Sequence, residues 1–190
     1  MPRYDTDQPR NPTVTEYDDF VYDCKFVNLA PNRMAPWYVL GNANPMYNCV
    51  AWTLGVKDVE LGTEQDPFPL AGVNEFYAAF GYTSLNGAIP INNFQLYDVL
   101  AYGPSQNGVA HVAVYLNVDG VGPTWTSKMG QAQLITHLWN QLNPGSYGGY
   151  WPNYYTHNGT IPYFTGQTPE GETFEQTVQR LLRESGLDRL

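Results

Sequence analysis

Apolar and polar side chains alternate most regularly in the middle of the chain. In residues 109–118, VAHVAVYLNV, branched apolar side chains occupy every second position from 112 to 116, which is typical of a half-buried strand. The DGVGP segment that follows has the glycines of a hairpin turn, so residues 124–130 are predicted to return as a second, antiparallel strand. Residues 94–103, FQLYDVLAYG, are predicted to form a strand that precedes this hairpin.

Helical patterns are short and lie on either side of the strands. Asn48 is a good N-cap for a helix of about two turns, which Gly55 would end. Residues 74–82, NEFYAAFGY, are predicted to form a second helix capped by their first residue, and residues 134–142, LITHLWNQL, a third. In the tail, a capping box begins at Thr173 and the apolar residues after it are in helical register, which predicts an amphipathic C-terminal helix.

These patterns divide the chain into one domain with two extensions. Residues 1–20 lack apolar periodicity and are predicted to be a flexible N-terminal arm, residues 21–165 the domain, and residues 166–190 a helical tail. A chain of 190 residues is long enough to bury a full hydrophobic core. A disulfide is therefore not needed for stability, and we expect Cys24 to be free and buried.

Charge and composition exclude some partners. Nine basic and eighteen acidic residues give a formal net charge of -9, which disfavours nucleic acid and anionic membrane surfaces. No apolar run approaches the roughly 20 residues that span a bilayer. The N-terminus has no signal-peptide core. We expect a cytoplasmic protein, or one exported without a cleaved signal peptide.

Cys49 is the residue best placed for covalent chemistry. The start of a helix lowers the pKa of a thiol, because its free N–H groups and dipole stabilise the thiolate. A histidine within hydrogen-bond reach would take the proton. His111 opens a predicted strand, whereas His157 lies within a Tyr-rich loop. Backbone N–H groups beside Asn48 can hold an oxyanion, and Tyr47 is a candidate to line the cleft.

The same residues also have structural interpretations. A lone cysteine on an apolar helix is usually a small buried side chain. Asn48 is more simply a helix cap, and Lys128 more simply a solvated strand residue. No ligand-pair spacing such as Cys-x-x-Cys is present, so we expect no metal and no cofactor.

Two segments resemble the NlpC/P60 cysteine peptidases. YDVLAYGPSQNGVAHVAVYL, residues 97–116, is similar to their strand, loop and His-headed strand, and YNCVAWTLG, residues 47–55, to their Cys-bearing helix start. The resemblance implies an α+β fold: a papain-like core in which the Cys-bearing helix packs on an antiparallel sheet, followed here by the C-terminal amphipathic helix. It also implies that Cys49 is the nucleophile and His111 its base.

The chain is also similar to a poorly characterised NlpC/P60-like family, over roughly residues 45–150. The shared motifs are Asn-Cys-x-Ala-Trp at 48–52, Phe-x-Ala-Ala-Phe at 76–80, Trp-Thr-Ser-Lys-x-Gly at 125–130, Ile-x-His at 135–137 and Tyr-Gly at 147–148. NlpC/P60 enzymes commonly carry a third catalytic His on the strand after the base. In this chain Ser127 takes that place, and His137 is the alternative.

The sequence supports two hypotheses about the function. The first is a thiol hydrolase or transferase that acts on an amide in a peptide-like substrate, as a peptidase, amidase or deamidase. The alternative is a non-catalytic binding module, for which the aromatic run SYGGYWPNYY, residues 146–155, would supply stacking faces. The C-terminal helix is a candidate surface for a protein partner.

Overall fold

A computed structural model describes residue 4, residues 6–20, 37–55, 57, 68–142 and 149–157, and residues 171, 172, 176, 177, 180 and 183. These residues contain nine β-strands and three α-helices. In chain order the elements are α1 (Val14–Asp18), β1 (Val39–Gly41), α2 (Cys49–Thr53), β2 (Phe68–Pro69), α3 (Leu70–Ala79), β3 (Thr83–Ser84), β4 (Val99–Tyr102), β5 (Gly108–Val109), β6 (His111–Val118), β7 (Gly122–Lys128), β8 (Leu134–His137) and β9 (Tyr154–Thr156).

Seven of these strands form one antiparallel sheet. Their order is β1-β8-β7-β6-β4-β9-β3, and every neighbouring pair is antiparallel. The predicted hairpin is confirmed: β6 pairs with β7 from Val114 opposite Thr126 to Val118 opposite Gly122. Gly120 in its turn has a φ of 77°, a conformation that favours glycine. Strands β2 and β5 form a separate two-stranded pair.

The sheet is buried on both faces. Successive side chains of a strand point to opposite faces. In β6, Val112 and Val114 belong to a cluster that includes Trp52 of α2 and Phe76 of α3. Ala113 belongs to a second cluster, whose other large members include Leu100, Tyr102, Trp125, Ile135 and Tyr154. Strand β6 therefore has a helix face, covered by α2 and α3, and a far face.

The two helices on the helix face were both predicted. Helix α2 begins at Cys49, after its Asn48 cap, and has five residues. Helix α3 has ten residues and begins at Leu70, ahead of the predicted cap Asn74. The Asn74 side chain lies within the helix and accepts a hydrogen bond from the Tyr155 hydroxyl at 2.7 Å. Asn74 therefore ties α3 to β9 instead of capping it.

The fold class predicted from the sequence is wrong. The described chain is mainly β, with three helices of five, five and ten residues, and not an α+β fold with a papain-like NlpC/P60 core. Residues 134–137 of the third predicted helix form β8, which pairs with β7 and β1. Ile135 and Thr136 are β-branched and fit a strand better than a helix.

Other predictions fall where the structure is not described. The predicted C-terminal helix begins at Thr173, and most of its residues lie outside the described ones. Cys24 lies outside them as well. Residues 176, 177, 180 and 183, which are described, are helical, and the rest of the predicted amphipathic helix lies outside the described residues.

The N-terminal segment, which was predicted to be a flexible arm, makes backbone contacts with β1. Arg10 forms a β-bridge with Val39 of β1, and the N–H of Asp7 donates to the Leu40 carbonyl at 2.8 Å. Helix α1 follows, with a capping box between Thr13 and Glu16. The stretch from Asp7 to Arg10 thus lies along β1 at the edge of the sheet, and α1 follows it.

Candidate functional site

The helix start predicted around Cys49 is present. The Asn48 side chain accepts a hydrogen bond from the Ala51 N–H at 3.1 Å, which satisfies one of the free donors of α2. Cys49 is the first helical residue, and its side chain is 8% exposed. The cap therefore fixes where the thiol lies, while the thiol itself is buried.

The surroundings of the Cys49 sulfur act on its pKa in opposite directions. Burial has the largest effect and raises the pKa of the thiol to about 11. Backbone N–H groups of Val112, Val50 and Cys49 itself oppose this, as does the charge of Lys128, because they stabilise the thiolate. Burial prevails, so Cys49 is a neutral thiol near pH 7.

Lys128 is buried, although its sequence suggested a solvated strand residue. It has 0% exposure, and its Nζ donates to the carbonyl oxygens of Gly130 at 2.5 Å and Ala132 at 2.6 Å. Nζ also lies 5.0 Å from the centre of the Tyr47 ring. Strand alternation places Lys128 on the same face as Thr126, which contacts Trp52 of α2. That alternation was the sequence signal for its burial.

The structure does not bring Cys49 and His111 together. His111 is the first residue of β6, as predicted, and it is 2% exposed. It lies opposite Tyr102, a far-face residue, and the two ring centres are 5.9 Å apart. Cys49 packs on the helix face with Val112. The two side chains therefore lie on opposite faces of β6, while the Cys49 sulfur is near the N–H of Val112, the residue after His111.

Ser127 and His137, the two candidates for the third catalytic position, bind each other. Ser127 Oγ lies 2.7 Å from His137 Nε2, and both side chains are buried. His137 Nδ1 is 2.9 Å from the Leu138 carbonyl oxygen. A carbonyl can only accept, so Nδ1 carries the proton and Nε2 accepts from the Ser127 hydroxyl. This pair is a satisfied hydrogen-bond chain on the far face.

Both far-face histidines are held in the neutral form. Burial lowers the pKa of His137 to about 4. Burial also lowers the pKa of His111 well below its usual value of 6.5, with a further contribution from the charge of His137. Tyr102 packs against both rings, with its centre 6.2 Å from that of His137. Tyr102, His111 and His137 therefore form a buried cluster that carries no charge near pH 7.

A pocket lies beside Tyr47. Its cavity volume is about 250 Å³. Tyr47 is 4% exposed and borders both this pocket and Lys128. Cys49 is not among the residues that line this pocket, so it is not the cleft that was predicted beside the thiol. The described residues that line the pocket are Asp7, Leu40, Gly41, Asn42, Ala43, Asn44, Tyr47, Lys57 and Leu134.

The wall of this pocket is polar and held in place by backbone bonds. The N–H of Asn44 donates to the Gln131 carbonyl at 3.1 Å, and its side-chain oxygen accepts from the Met46 N–H at 2.8 Å. The carboxylate of Asp7 lies close enough to Tyr47 to raise the pKa of its phenol, although burial raises it more. Sequence reasoning missed this site because its residues converge only when the N-terminal segment docks on β1.

The aromatic run expected to form a stacking cleft is divided in the structure. Tyr154 and Tyr155 are core side chains with 0% and 1% exposure. Tyr150 is 45% exposed, and Trp151 packs on Trp139 with ring centres 5.2 Å apart. The buried tyrosines are therefore not available for stacking on a ligand.

The described residues include no group of three or more His, Cys, Asp or Glu side chains arranged to hold a metal ion. Among the same residues, no helix is both long and apolar enough to cross a membrane.

Comparison with known proteins assigns the chain to a family. A domain of unknown function, DUF7689, matches residues 38–155, and the chain belongs to this family. No curated protein and no solved structure matches the chain. The matched residues run from just before β1 into β9, so they include α2, all of the seven-stranded sheet except Thr156, and most of the pocket lining.

Proposed function

We propose that this domain is a non-catalytic binding module for a small polar ligand, which it holds in the pocket beside Tyr47. The observation that supports this proposal best is the pocket itself, about 250 Å³ in volume and lined by carboxamide, phenol and charged side chains. Binding sites place a few polar groups on a supported scaffold so that they fix a ligand's orientation. The loop after β1 supplies such polar groups, from Asn42 and Asn44.

The geometry of the thiol favours binding over catalysis. A general base has to lie within hydrogen-bond reach of the proton it removes, about 2.6–3.2 Å between heavy atoms. Cys49 and His111 lie on opposite faces of the sheet. Ser127 and His137, the two candidates for the third catalytic position, also lie on the far face, on the side of the sheet opposite the Cys49 thiol.

The size and lining of the pocket define the class of ligand. Pockets for drug-sized molecules measure roughly 300–1,000 Å³, so a cavity of about 250 Å³ suits a smaller molecule. Two carboxamides, from Asn42 and Asn44, offer both donors and acceptors. A small ligand rich in hydrogen-bonding groups fits such a lining better than an apolar one.

The test is an NMR titration of the ¹⁵N-labelled full chain with a panel of amino acids, monosaccharides and nucleosides. We expect one class to shift the backbone resonances of residues 41–44 and to bind Asn42→Ala more weakly. Asn117→Ala, at an exposed position of β6 outside the pocket, is the matched control. If no compound shifts these resonances, or if both variants lose the same affinity, the proposal fails.

A thiol hydrolase or transferase that acts on an amide is the second candidate, with Cys49 as its nucleophile. Three backbone N–H groups and the Lys128 ammonium lie close enough to the sulfur to favour the thiolate. This chemistry would require the chain to rearrange so that the sulfur reaches solvent. Hydrolysis of any peptide in a library by wild type, lost in Cys49→Ala and kept in Asn42→Ala, would make this candidate the better one.

A further inference from the structure

The first residues of the chain contact the domain at two places, one on either side of Asp7. We call residue 4 and residues 6–10 the N-terminal strap. The Tyr4 hydroxyl donates to the Thr53 carbonyl at the end of α2 at 2.7 Å, and Arg10 forms its β-bridge with β1. Asp7 lies between these two anchors, donates its N–H to a carbonyl of β1 and lines the pocket. The strap is therefore held at both ends, and its middle is one wall of the pocket.

Arg10 links the strap to a second residue of the pocket. Its Nη2 donates to the Asn42 carboxamide oxygen at 3.4 Å, and Asn42 also lines the pocket. The same guanidinium donates to both carboxylate oxygens of Glu16 in α1, at 2.7 and 2.6 Å. If the strap left β1, the pocket would lose the wall that Asp7 forms, and Asn42 would lose this contact. Docking of the strap and the shape of the pocket are thus connected through two residues.

The strap is less buried than the chain that follows it. Tyr4 is partly buried and none of residues 6–15 is buried, whereas Glu16 and Phe20 are 8% and 2% exposed. Segments that bury little apolar surface and expose their backbone hydrogen bonds open locally at a lower free energy than the whole fold. The strap can therefore detach from β1 and α2 while the chain around Phe20 stays in place.

We infer that the N-terminal strap opens and closes as one unit and that a ligand in the pocket holds it closed. This inference rests on the proposed function. A ligand that touches the wall formed by Asp7 makes that contact only while the strap is docked, so it binds the closed form more tightly. By linkage, the ligand then lowers the population of the open form. The strap acts as a lid whose closure depends on what the pocket contains.

Amide hydrogen exchange of the ¹⁵N-labelled full chain, followed by NMR, tests whether the strap opens as a unit. Three amides are the strap reporters: the N–H groups of Asp7 and Arg10, which bond carbonyls of β1, and that of Val39, which bonds the Arg10 carbonyl. We expect them to share one opening free energy. It should be lower than that of the Tyr115 amide, which bonds β4 inside the sheet.

Tyr4→Ala removes the anchor at α2 and should speed exchange of the three strap reporters about fivefold, as expected for the loss of one hydrogen bond. The Tyr115 amide should not change, because its opening does not depend on the strap. Tyr150→Ala, at a tyrosine that is 45% exposed and lies outside the strap and the pocket lining, is the matched control and should leave all four amides unchanged. Graded protection of the three reporters, an effect of Tyr4→Ala on Asp7 alone, or an equal effect on Tyr115 overturns the inference.

The same measurement with the panel of amino acids, monosaccharides and nucleosides tests the coupling. A compound that shifts the resonances of residues 41–44, added at ten times its Kd, should slow exchange of the three strap reporters about tenfold, because it binds the closed form. The Tyr150 amide, which bonds the Gly103 carbonyl outside the pocket lining, should not change. If a compound binds at residues 41–44 but leaves the strap reporters unchanged, the proposed binding function stands and the coupling is wrong. If no compound binds, both are wrong.

Discussion

Lys128 shows how a single residue can carry a charge inside the fold. An ammonium removed from water costs several kcal/mol unless acceptors replace its hydration. Here the carbonyl oxygens of Gly130 and Ala132 replace it, at 2.5 and 2.6 Å. The same two bonds close the turn between β7 and β8, in which the Met129 N–H donates to the Gln133 carbonyl at 3.0 Å. One buried side chain thus organises both a turn and the surroundings of Cys49.

Replacing Lys128 with Met should destabilise the protein by about 1–3 kcal/mol, because two carbonyl oxygens lose their donor while the length of the side chain is kept. The free energy of unfolding, measured in urea, gives this difference. Lys57→Met is the matched control, since Lys57 is only partly buried, and should cost less. Equal effects of the two variants would contradict a structural role for Lys128.

The raised pKa of Cys49 predicts slow alkylation near neutral pH. Only the thiolate reacts, and a pKa of about 11 leaves little thiolate at pH 7. In a Cys24→Ala background, in which Cys49 is the only thiol, iodoacetamide labelling should be slower than that of free cysteine and should increase up to about pH 11. Labelling faster than free cysteine at pH 7 would favour the hydrolase.

At the scale of elements, the sequence predicts the helices and strands whose hydrophobic pattern, turn and cap lie close together in the chain. The β6–β7 hairpin and α2 were predicted because alternation, a glycine turn and an Asn cap coincide. In 134–142 the leucines at 134, 138 and 142 have helical spacing, yet Leu138 is 38% exposed and the first four residues form β8. Pairing with the distant β1 and with the neighbouring strand β7 overrides that local spacing.

Helix α1 is stabilised by hydrogen bonds around Glu16, which the apolar pattern of the N-terminal segment did not predict. Glu16 accepts from the N–H of Thr13 at 2.8 Å and from both guanidinium nitrogens of Arg10, at 2.7 and 2.6 Å. The Arg10 hydrogen bond is the largest cause that lowers the pKa of Glu16 to about 2. The network therefore ties α1 to the segment that bridges β1.

Glu16→Gln should cost about 1 kcal/mol or more at pH 7, because it weakens the cap and removes the charge that Arg10 binds. Glu16 has a folded pKa below its usual 4.5, so its contribution is present above pH 4.5 and is lost as the pH falls toward about 2. Urea unfolding at pH 7 and pH 3 should show a smaller difference between variant and wild type at pH 3. A difference independent of pH would contradict the ion pair.

At the scale of the whole molecule, the candidate site depends on which face of the sheet each residue takes. Strand alternation alone places His111 with Ala113 and opposite to Val112, but both faces of β6 are buried, so the sequence does not show which face α2 covers. The motifs placed Cys49 at a helix start and His111 at a strand start correctly. Their separation follows from packing, which short motifs do not determine.

The pocket depends on long-range packing in the same way. Its lining comes from the N-terminal segment, the loop after β1, Lys57 and β8. The sequence singled out only Tyr47 among these residues, because a lone aromatic beside a cysteine is conspicuous whereas scattered Asp, Asn and Lys residues are not. Convergence of distant polar residues becomes visible only once the sheet order is known.

The far-face histidines make the stability of the whole fold depend on pH. The folded pKa of His137 is about 4 against an ordinary 6.5, so below pH 6.5 the unfolded chain binds a proton that the folded chain does not. Stability is therefore full above pH 6.5 and falls as the pH drops toward 4, by about 3 kcal/mol for this residue at 1.36 kcal/mol per pH unit. His137→Asn cannot titrate, and its unfolding free energy should change less between pH 7 and pH 4 than that of wild type.

His157→Asn, at a residue that lies outside this cluster and bonds the Leu96 carbonyl at 3.1 Å, is the control. If wild type and His137→Asn lose the same stability over this range, the buried neutral histidine is not the cause, and the acid response comes from groups elsewhere in the chain.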